Sequence, residues 1–239
     1  MDQEDYMIYN DDCNNIFNKI PDKSIDLILA DQPYNISKYS TGNINMKWRS
    51  EINNDIARWD EVELEPSEYV KEFKRILRPT GNIFIFTSYN QIGKWHEAFD
   101  NEFDTFQFMV WHKTNPAPKI FKAGFLNSCE LIVCMWNKGH KWNFKSQKEM
   151  HNFIEGPICM GNERIKDPKH PSQKPLYVLK HIIEIASEKG DLVFDPFMGV
   201  GSTGVAALEM NRKFIGCEIS KEYFEVCKKR LNNTQLTFI

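Results

Sequence analysis

Hydrophobic positions along this chain fall into short apolar runs that alternate with helical stripes, and that alternation predicts the architecture. The stretch Ser24-Ile-Asp-Leu-Ile-Leu-Ala30 is a mostly apolar run cut off by Asp31-Gln32-Pro33-Tyr34, which predicts a buried strand stopped by a proline-containing loop. From Pro66 to Leu77, Tyr69, Val70, Phe73, Ile76 and Leu77 recur at helical spacing until Arg78-Pro79-Thr80-Gly81 ends the pattern. Strands are predicted at Asn82–Thr87, Thr105–Trp111 and Leu131–Trp136, and a helix at 91–100, in the β-α-β rhythm of a parallel sheet. Residues 35–60 are rich in Asn and Ser without sustained period, predicting a mobile loop, and 137–170 are polar with few recognisable elements. The C-terminal third is clearest: helix Pro175–Ser187, strand Asp191–Phe194, glycine turn Gly199–Gly204, helix Ser202–Met210, strand Lys213–Cys217, and a last helix Ser220–Leu231 with Ser220 as its N-cap.

Composition narrows the class. With 239 residues, 41% of them hydrophobic, and no repeat or low-complexity tract, one α/β domain is the simplest reading. No apolar run approaches the roughly 18–20 residues that span a bilayer, and the start MDQEDYMIYN is acidic, so the expectation is a cytoplasmic protein with no membrane partner. The six cysteines form no C-x-x-C pair and no His spacing that closes a zinc site, so reduced thiols and no bound metal are expected.

The net charge of −3 gives no whole-chain reason to expect a polyanionic partner, but the average hides an asymmetry. Residues 111–174 hold 11 Lys+Arg against 5 Asp+Glu, a balance of +6, which leaves 19 against 28, or −9, for the remainder. The basic stretch interleaves Trp111, Phe121, Phe125, Trp136, Trp142, Phe144 and Phe153, a mixture suited to phosphate contact and base stacking. Aromatic side chains are more often core than contact, so about half of these are expected to be packing.

Two constellations carry chemistry. Asp195-Pro-Phe-Met-Gly199-Val-Gly201-Ser-Thr-Gly204 contains G-x-G-x-x-G between a strand and a helix, and Glu218 follows at the end of the next strand. Such glycines admit a ligand close to the backbone, and the acidic residue can take ribose hydroxyls. A ligand-free tight turn is the bland alternative. An NAD-dependent oxidoreductase would use the same turn, but only 35 residues follow Gly204, too few for a second nucleotide half, and Asp195 suits a cation better than a pyrophosphate. A nucleoside with a positive centre fits better. The second constellation is Asp31-Gln32-Pro33-Tyr34, at the carboxyl end of its strand, where open α/β sheets bind ligands; it would face the same crevice as Asp195 despite a separation of 164 residues.

In these motifs the chain resembles the β-arrangement amino-group DNA methyltransferases. Asp31–Tyr34 is similar to their Asp-Pro-Pro-Tyr catalytic motif, His170-Pro-Ser-Gln-Lys-Pro175 to their His-Pro-Thr-Gln-Lys-Pro signature, Trp111-His-Lys-Thr-Asn-Pro to their Trp-x-Lys-x-Asn-Pro segment, and Asp195–Gly204 to their cofactor turn. The resemblance implies a Rossmann-like, mostly parallel methyltransferase sheet that uses S-adenosylmethionine. It divides the chain into a catalytic half over 1–116, a target-recognition region over 117–169 and a cofactor half over 170–239. Asp31, the Gln32 carbonyl, Pro33 and Tyr34 would hold an extruded base for N6-adenine methylation, with N4-cytosine as the alternative target and a catalytically weak DNA-binding relative as a more remote one. Cofactor residues implied are Asp12, Cys13, His170, Gln173, Lys174, Asp195, Pro196, Phe197, Gly199, Gly201, Ser202, Thr203 and Glu218. DNA contacts are expected from Lys38, Lys47, Arg49, Trp111, Lys113, Asn115, Lys119, Lys122, Lys141 and Lys145. DNA, a second copy of the chain and a cognate restriction endonuclease are the candidate partners. One departure stands out: Gln32 replaces the family's first proline, giving a less rigid segment.

Overall fold

A computed structural model describes residues 5–34, 44–46, 49–52, 64–118, 124–140, 142–168, 170 and 172–236. Eight strands form the main sheet in the order β1-β10-β9-β2-β5-β7-β6-β8. They are β1 (Tyr6–Tyr9), β2 (Ile25–Asp31), β5 (Leu77–Thr87), β6 (Thr105–Lys113), β7 (Cys129–Trp136), β8 (Phe153–Gly156), β9 (Leu192–Asp195) and β10 (Lys213–Cys217). A separate antiparallel pair, β3 (Ile44–Met46) and β4 (Arg49–Ile52), lies in the stretch expected to be an irregular loop. The helices are α1 (Cys13–Ile16), α2 (Val70–Ile76), α3 (Ile92–Phe99), α4 (Leu176–Ala186), α5 (Ser202–Glu209) and α6 (Lys221–Leu236).

Side-chain parity builds the two cores. Leu27, Leu29, Phe84 and Phe86 point to the face covered by α4, α5 and α6 and pack with Val178, Leu179, Ile182, Ala206 and Leu231. Ile28, Ala30, Ile83 and Ile85 point the other way, onto Phe73, Ile76, Trp95 and Phe99 of α2 and α3. A central strand buried on both faces needs a continuous apolar run, which is why β2 and β5 read as unbroken hydrophobic stretches. The α4 stripe alone buries Val178, Leu179, Ile182, Ile183, Ile185 and Ala186, at about 1.5–3 kcal/mol for each large apolar side chain.

Five of the seven pairings in the sheet are parallel, as expected for the fold. The exceptions involve β7, which runs antiparallel to both β5 and β6 and separates them. The β-α-β rhythm therefore ends at β5: β6 does not pair with it, and β7 lies in the gap. Two further differences follow. Strand β8 pairs with β6 in a region where no strand was expected, and β5 begins at Leu77, carrying Arg78–Gly81 as an irregularity before its register resumes at Asn82. The span 117–169 is consequently not a lobe apart, because it supplies the interior strand β7.

Candidate active site

Strands β2 and β9 are neighbours, paired at Leu27–Val193 and Ile28–Phe194. Their carboxyl ends therefore bring Asp31 and Asp195 to one rim, where the sheet order switches direction and a crevice opens. A cavity of about 290 Å³ fills that crevice, and both Asp31 and Asp195 line it with Pro33, Lys174, Gly199 and Glu218.

The cofactor end is built on backbone donors. Gly199 (φ +51°) and Gly201 (φ +80°) adopt the left-handed conformation that favours glycine, and a Cβ on Gly199 would sit 2.9 Å from His170 Nε2. Glu218 Oε2 accepts from the Gly199 N–H at 2.9 Å while its Oε1 accepts from Ser220 N–H at 2.8 Å, so the carboxylate ends β10 and fastens the turn together. Asp195 is almost wholly buried, and its Oδ1 accepts from Phe197 N–H at 2.9 Å. Burial pushes its pKa up to about 7, opposed by hydrogen bonds from Thr203 and Phe197 and reinforced by the charges of Asp31 and Glu218.

Asp12 and Cys13 line the same cavity, as do His170, Gln173, Pro196, Phe197, Ser202 and Thr203. Asp12 also caps α1, accepting from Asn14 N–H at 2.8 Å, so its carboxylate fastens the helix while it lines the cavity. Gln173 ties down its own segment, donating to the Glu163 carbonyl and accepting from Ile165 N–H. Of the thirteen residues expected at the cofactor, all but Gly201 are on the wall of this one cavity. Sequence reading missed several other wall residues, among them Leu64, Glu68, Tyr69, Ile219 and Tyr223. The helix leading back into a parallel strand starts at the strands' carboxyl rim, and that rule would have found Glu68 and Tyr69 just before α2.

The other end of the cavity is held by ions. Lys174, whose side chain is 4% exposed, places Nζ 2.6 Å from Asp31 Oδ2 and 3.3 Å from Glu130 Oε2. Its Nζ lies 5.1 Å from the centroids of both the Tyr34 and Phe86 rings. Glu130, at the start of β7, also accepts from Tyr34 O–H at 3.0 Å and pairs with Lys113 at 3.2 Å. Burial raises the Asp31 pKa, with Lys174 working against the rise. Burial also opposes ionisation of Glu130, but Lys174 and Lys113 outweigh it and hold its pKa below the usual value. Glu130 is a further residue that sequence reading missed.

Gln32 turns away from this cluster. Its buried amide donates to Thr87 Oγ1 at 3.1 Å and to Gln91 Oε1 at 2.8 Å, on the α3 side of the sheet. The side chain that replaces proline thus anchors the segment to β5 and the approach to α3.

Of the expected DNA contacts, Trp111 and Lys113 need correction, whereas Asn115 and Lys145 are exposed. Trp111 is 2% exposed and donates from its indole N–H to Tyr177 O–H, so it belongs to the core. Lys113 is mostly buried on Glu130, and Lys145 is paired with Glu184 of α4. Asn115 is largely engaged at the surface, accepting from Ile158 N–H at 2.8 Å. Lys38, Lys47, Lys119, Lys122 and Lys141 lie outside the described residues, as does the side chain of Arg49. Of the aromatic residues in the basic stretch, Trp136, Trp142 and Phe144 pack on one another, whereas Phe125 is 96% exposed and Phe153 half exposed.

Residues 25–229 match the family described as DNA methylase, of the N6 and N4 amino-methylating type, and the chain belongs to that family. Its methyl donor is S-adenosylmethionine. The chain is 32% identical to Type II methyltransferase M2.LlaDCHI of Lactococcus lactis subsp. cremoris, over 97% of this chain and 91% of the relative. It is 31% identical to Type II methyltransferase M2.DpnII of Streptococcus pneumoniae, over 94% and 89% of the two chains. Among solved structures it is similar to the complex of M1.HpyAVI with S-adenosylmethionine, with a TM-score of 0.68, 26% identity, and 95% and 100% of the two chains covered. It shares its fold with the cytosine-N4-specific PvuII DNA methyltransferase at a TM-score of 0.69 and 17% identity, over 94% and 86% of the chains. Among the described residues, no group of three or more His, Cys, Asp or Glu side chains could hold a metal, and no helix is long and apolar enough to cross a membrane.

Proposed function

We propose that this chain methylates the N6 amine of an extruded adenine in a specific DNA sequence, with Asp31 as its catalytic carboxylate. The observation that supports this most is that Asp31, at the end of β2, shares one cavity with the Gly199–Gly201 turn on the adjacent strand exit. The site suits a cationic nucleoside: six carboxylates, Asp11, Asp12, Asp31, Glu68, Asp195 and Glu218, line the cavity, and Tyr69 and Phe197 add aromatic wall. When bound, S-adenosylmethionine supplies an electrophilic methyl on a sulfonium sulfur.

The protein's part is to make a poor nucleophile attack. The lone pair of an adenine amine is delocalised into the ring, so acceptors for both of its hydrogens favour the pyramidal nitrogen that the reaction needs. Asp31 would take one hydrogen, the Gln32 carbonyl the other, and the Tyr34 ring would stack on the base. As positive charge develops on nitrogen, the Asp31 carboxylate stabilises it in a site shielded from water. Pro33 restricts the backbone that carries these groups.

DNA recognition is assigned to the parts of 117–169 outside β7, with the 35–60 stretch as a second contact. A homodimer, a cognate restriction endonuclease and a cytoplasmic location complete the reading. Mass spectrometry of nucleosides, after DNA is incubated with the chain and labelled S-adenosylmethionine, tests it. N6-methyladenine is the expected product. N4-methylcytosine would move the target to the alternative base, and absence of any labelled nucleoside would overturn the assignment.

A further inference from the structure

Parity places more than Asp31 on the α4 side of the sheet. Leu27 and Leu29 face that side on β2, Met109 and Trp111 on β6, and Ile132 and Cys134 on β7. Counting on by twos puts Asp31, Lys113 and Glu130 on the same face. Phe86 lies between β2 and β7 in register with both Asp31 and Ile132, and Lys174 lies across its ring to reach the two carboxylates. The result is an alternating chain of charges, Asp31, Lys174, Glu130 and Lys113, in which Glu130 serves both cations and the Tyr34 hydroxyl.

An ammonium given wholly to Asp31 would compete with the amine hydrogen that this carboxylate must accept. A second carboxylate on the far side of the ammonium divides its bonds. We propose that Glu130 is a positioning residue for methyl transfer, holding Lys174 between two carboxylates and so keeping one Asp31 oxygen available to the base while orienting the Tyr34 ring through its hydroxyl. This rests on the methyltransferase reading above. The ionisable groups around Asp31 are Lys174 before α4, Glu130 on β7 and Tyr34 beyond β2. Asp195 on β9 adds a like charge, Lys113 on β6 acts through Glu130, and His170 lies toward Lys174.

The test pairs two substitutions whose electrostatic effects have opposite signs. Glu130→Gln removes a negative charge and should lower the Asp31 titration midpoint, followed by carboxyl-carbon NMR in the full-length chain, by about one pH unit. Lys113→Met removes the other cation on Glu130, which then draws Lys174 away from Asp31 and should raise the Asp31 midpoint. In transfer assays Glu130→Gln should lower kcat about 10- to 100-fold, the range for losing a partner that orients a functional group, with KM for S-adenosylmethionine little changed and partial rescue by Glu130→Asp. A midpoint that moves in neither variant, or Glu130→Gln turnover at the unsubstituted level, overturns the proposal. If Glu130→Gln does not fold, the Lys113→Met shift decides it. An unsubstituted chain that methylates no DNA would overturn the methyltransferase reading instead, and the Asp31 titrations would still decide whether Glu130 governs this carboxylate.

Discussion

The two ends of the cavity fix their carboxylates by different means. At the cofactor end, Asp195 and Glu218 accept main-chain N–H groups from residues 2 and 19 positions away, so the local chain itself sets their geometry. At the base end, Asp31 is held by Lys174 from 143 positions away, and Glu130 by Lys113 and by Tyr34, 17 and 96 positions away. A backbone amide cannot leave its partner without unmaking the turn. An ammonium on a flexible stem can exchange partners. The proposed cofactor end is therefore a fixed mould, while the proposed base end is an adjustable set of charges.

The strongest way to break this division is Asp31→Ala. It should lower methyl transfer by about 10³-fold or more, measured with labelled cofactor, while cofactor affinity measured by calorimetry stays close to that of the unsubstituted chain. Equal loss of both would show that the two ends are not separable. Glu218→Ala attacks the mould and should weaken S-adenosylmethionine binding about 10- to 100-fold, because it removes an ionic group that also accepts two main-chain donors. An unchanged dissociation constant would remove Glu218 from the cofactor site.

Protonation sharpens the comparison further. With its pKa near 7 in the ligand-free protein, Asp195 binds a proton below that pH, and a cationic ligand favours the ionised form. Affinity for S-adenosylmethionine should thus rise by up to about tenfold per pH unit as pH climbs toward 7, then level off; Asp195→Asn should abolish the slope. The same group opposes folding by an amount that grows from about pH 4 to 7 and persists above it, because the unfolded chain ionises it first, so thermal stability of Asp195→Asn should fall less steeply as pH rises over that range. Gln32→Pro should have the smallest effect. It deletes the bonds to Thr87 and Gln91, at a cost of about 1–3 kcal/mol in a denaturant titration, yet retains the carbonyl, so turnover should change only a few-fold.

The mould was legible in the sequence and the charge cluster was not, for reasons visible in particular residues. Asp195, Gly199, Gly201 and Glu218 sit in one strand-turn-helix-strand unit, where spacing along the chain nearly determines spacing in space. Asp31 was found because apolar β2 ends abruptly on it. Glu130 depends on the direction of β7. Were that strand parallel to its neighbours, its first residues would lie at the opposite end of the sheet, far from Asp31, and hydrophobic period carries no information about direction. Trp111 illustrates the converse error: it opens the polar run His112-Lys-Thr-Asn115, but the register of β6 with β7 turns it into the core beside Tyr177. Lys113, two residues on, looked like a phosphate contact until the position of Glu130 was known.

The pairing of Lys113 with Glu130 has an effect on the chain between them. Lys113 ends β6 and Glu130 lies at the start of β7, and the Lys113 N–H also donates to the Ser128 carbonyl. The end of β6 and the start of β7 are thus held together by a clasp. Under the proposed reading, a change of length or charge between these two strands meets the clasp before it reaches Asp31, so a segment that met DNA could vary without moving the carboxylate assigned to the chemistry.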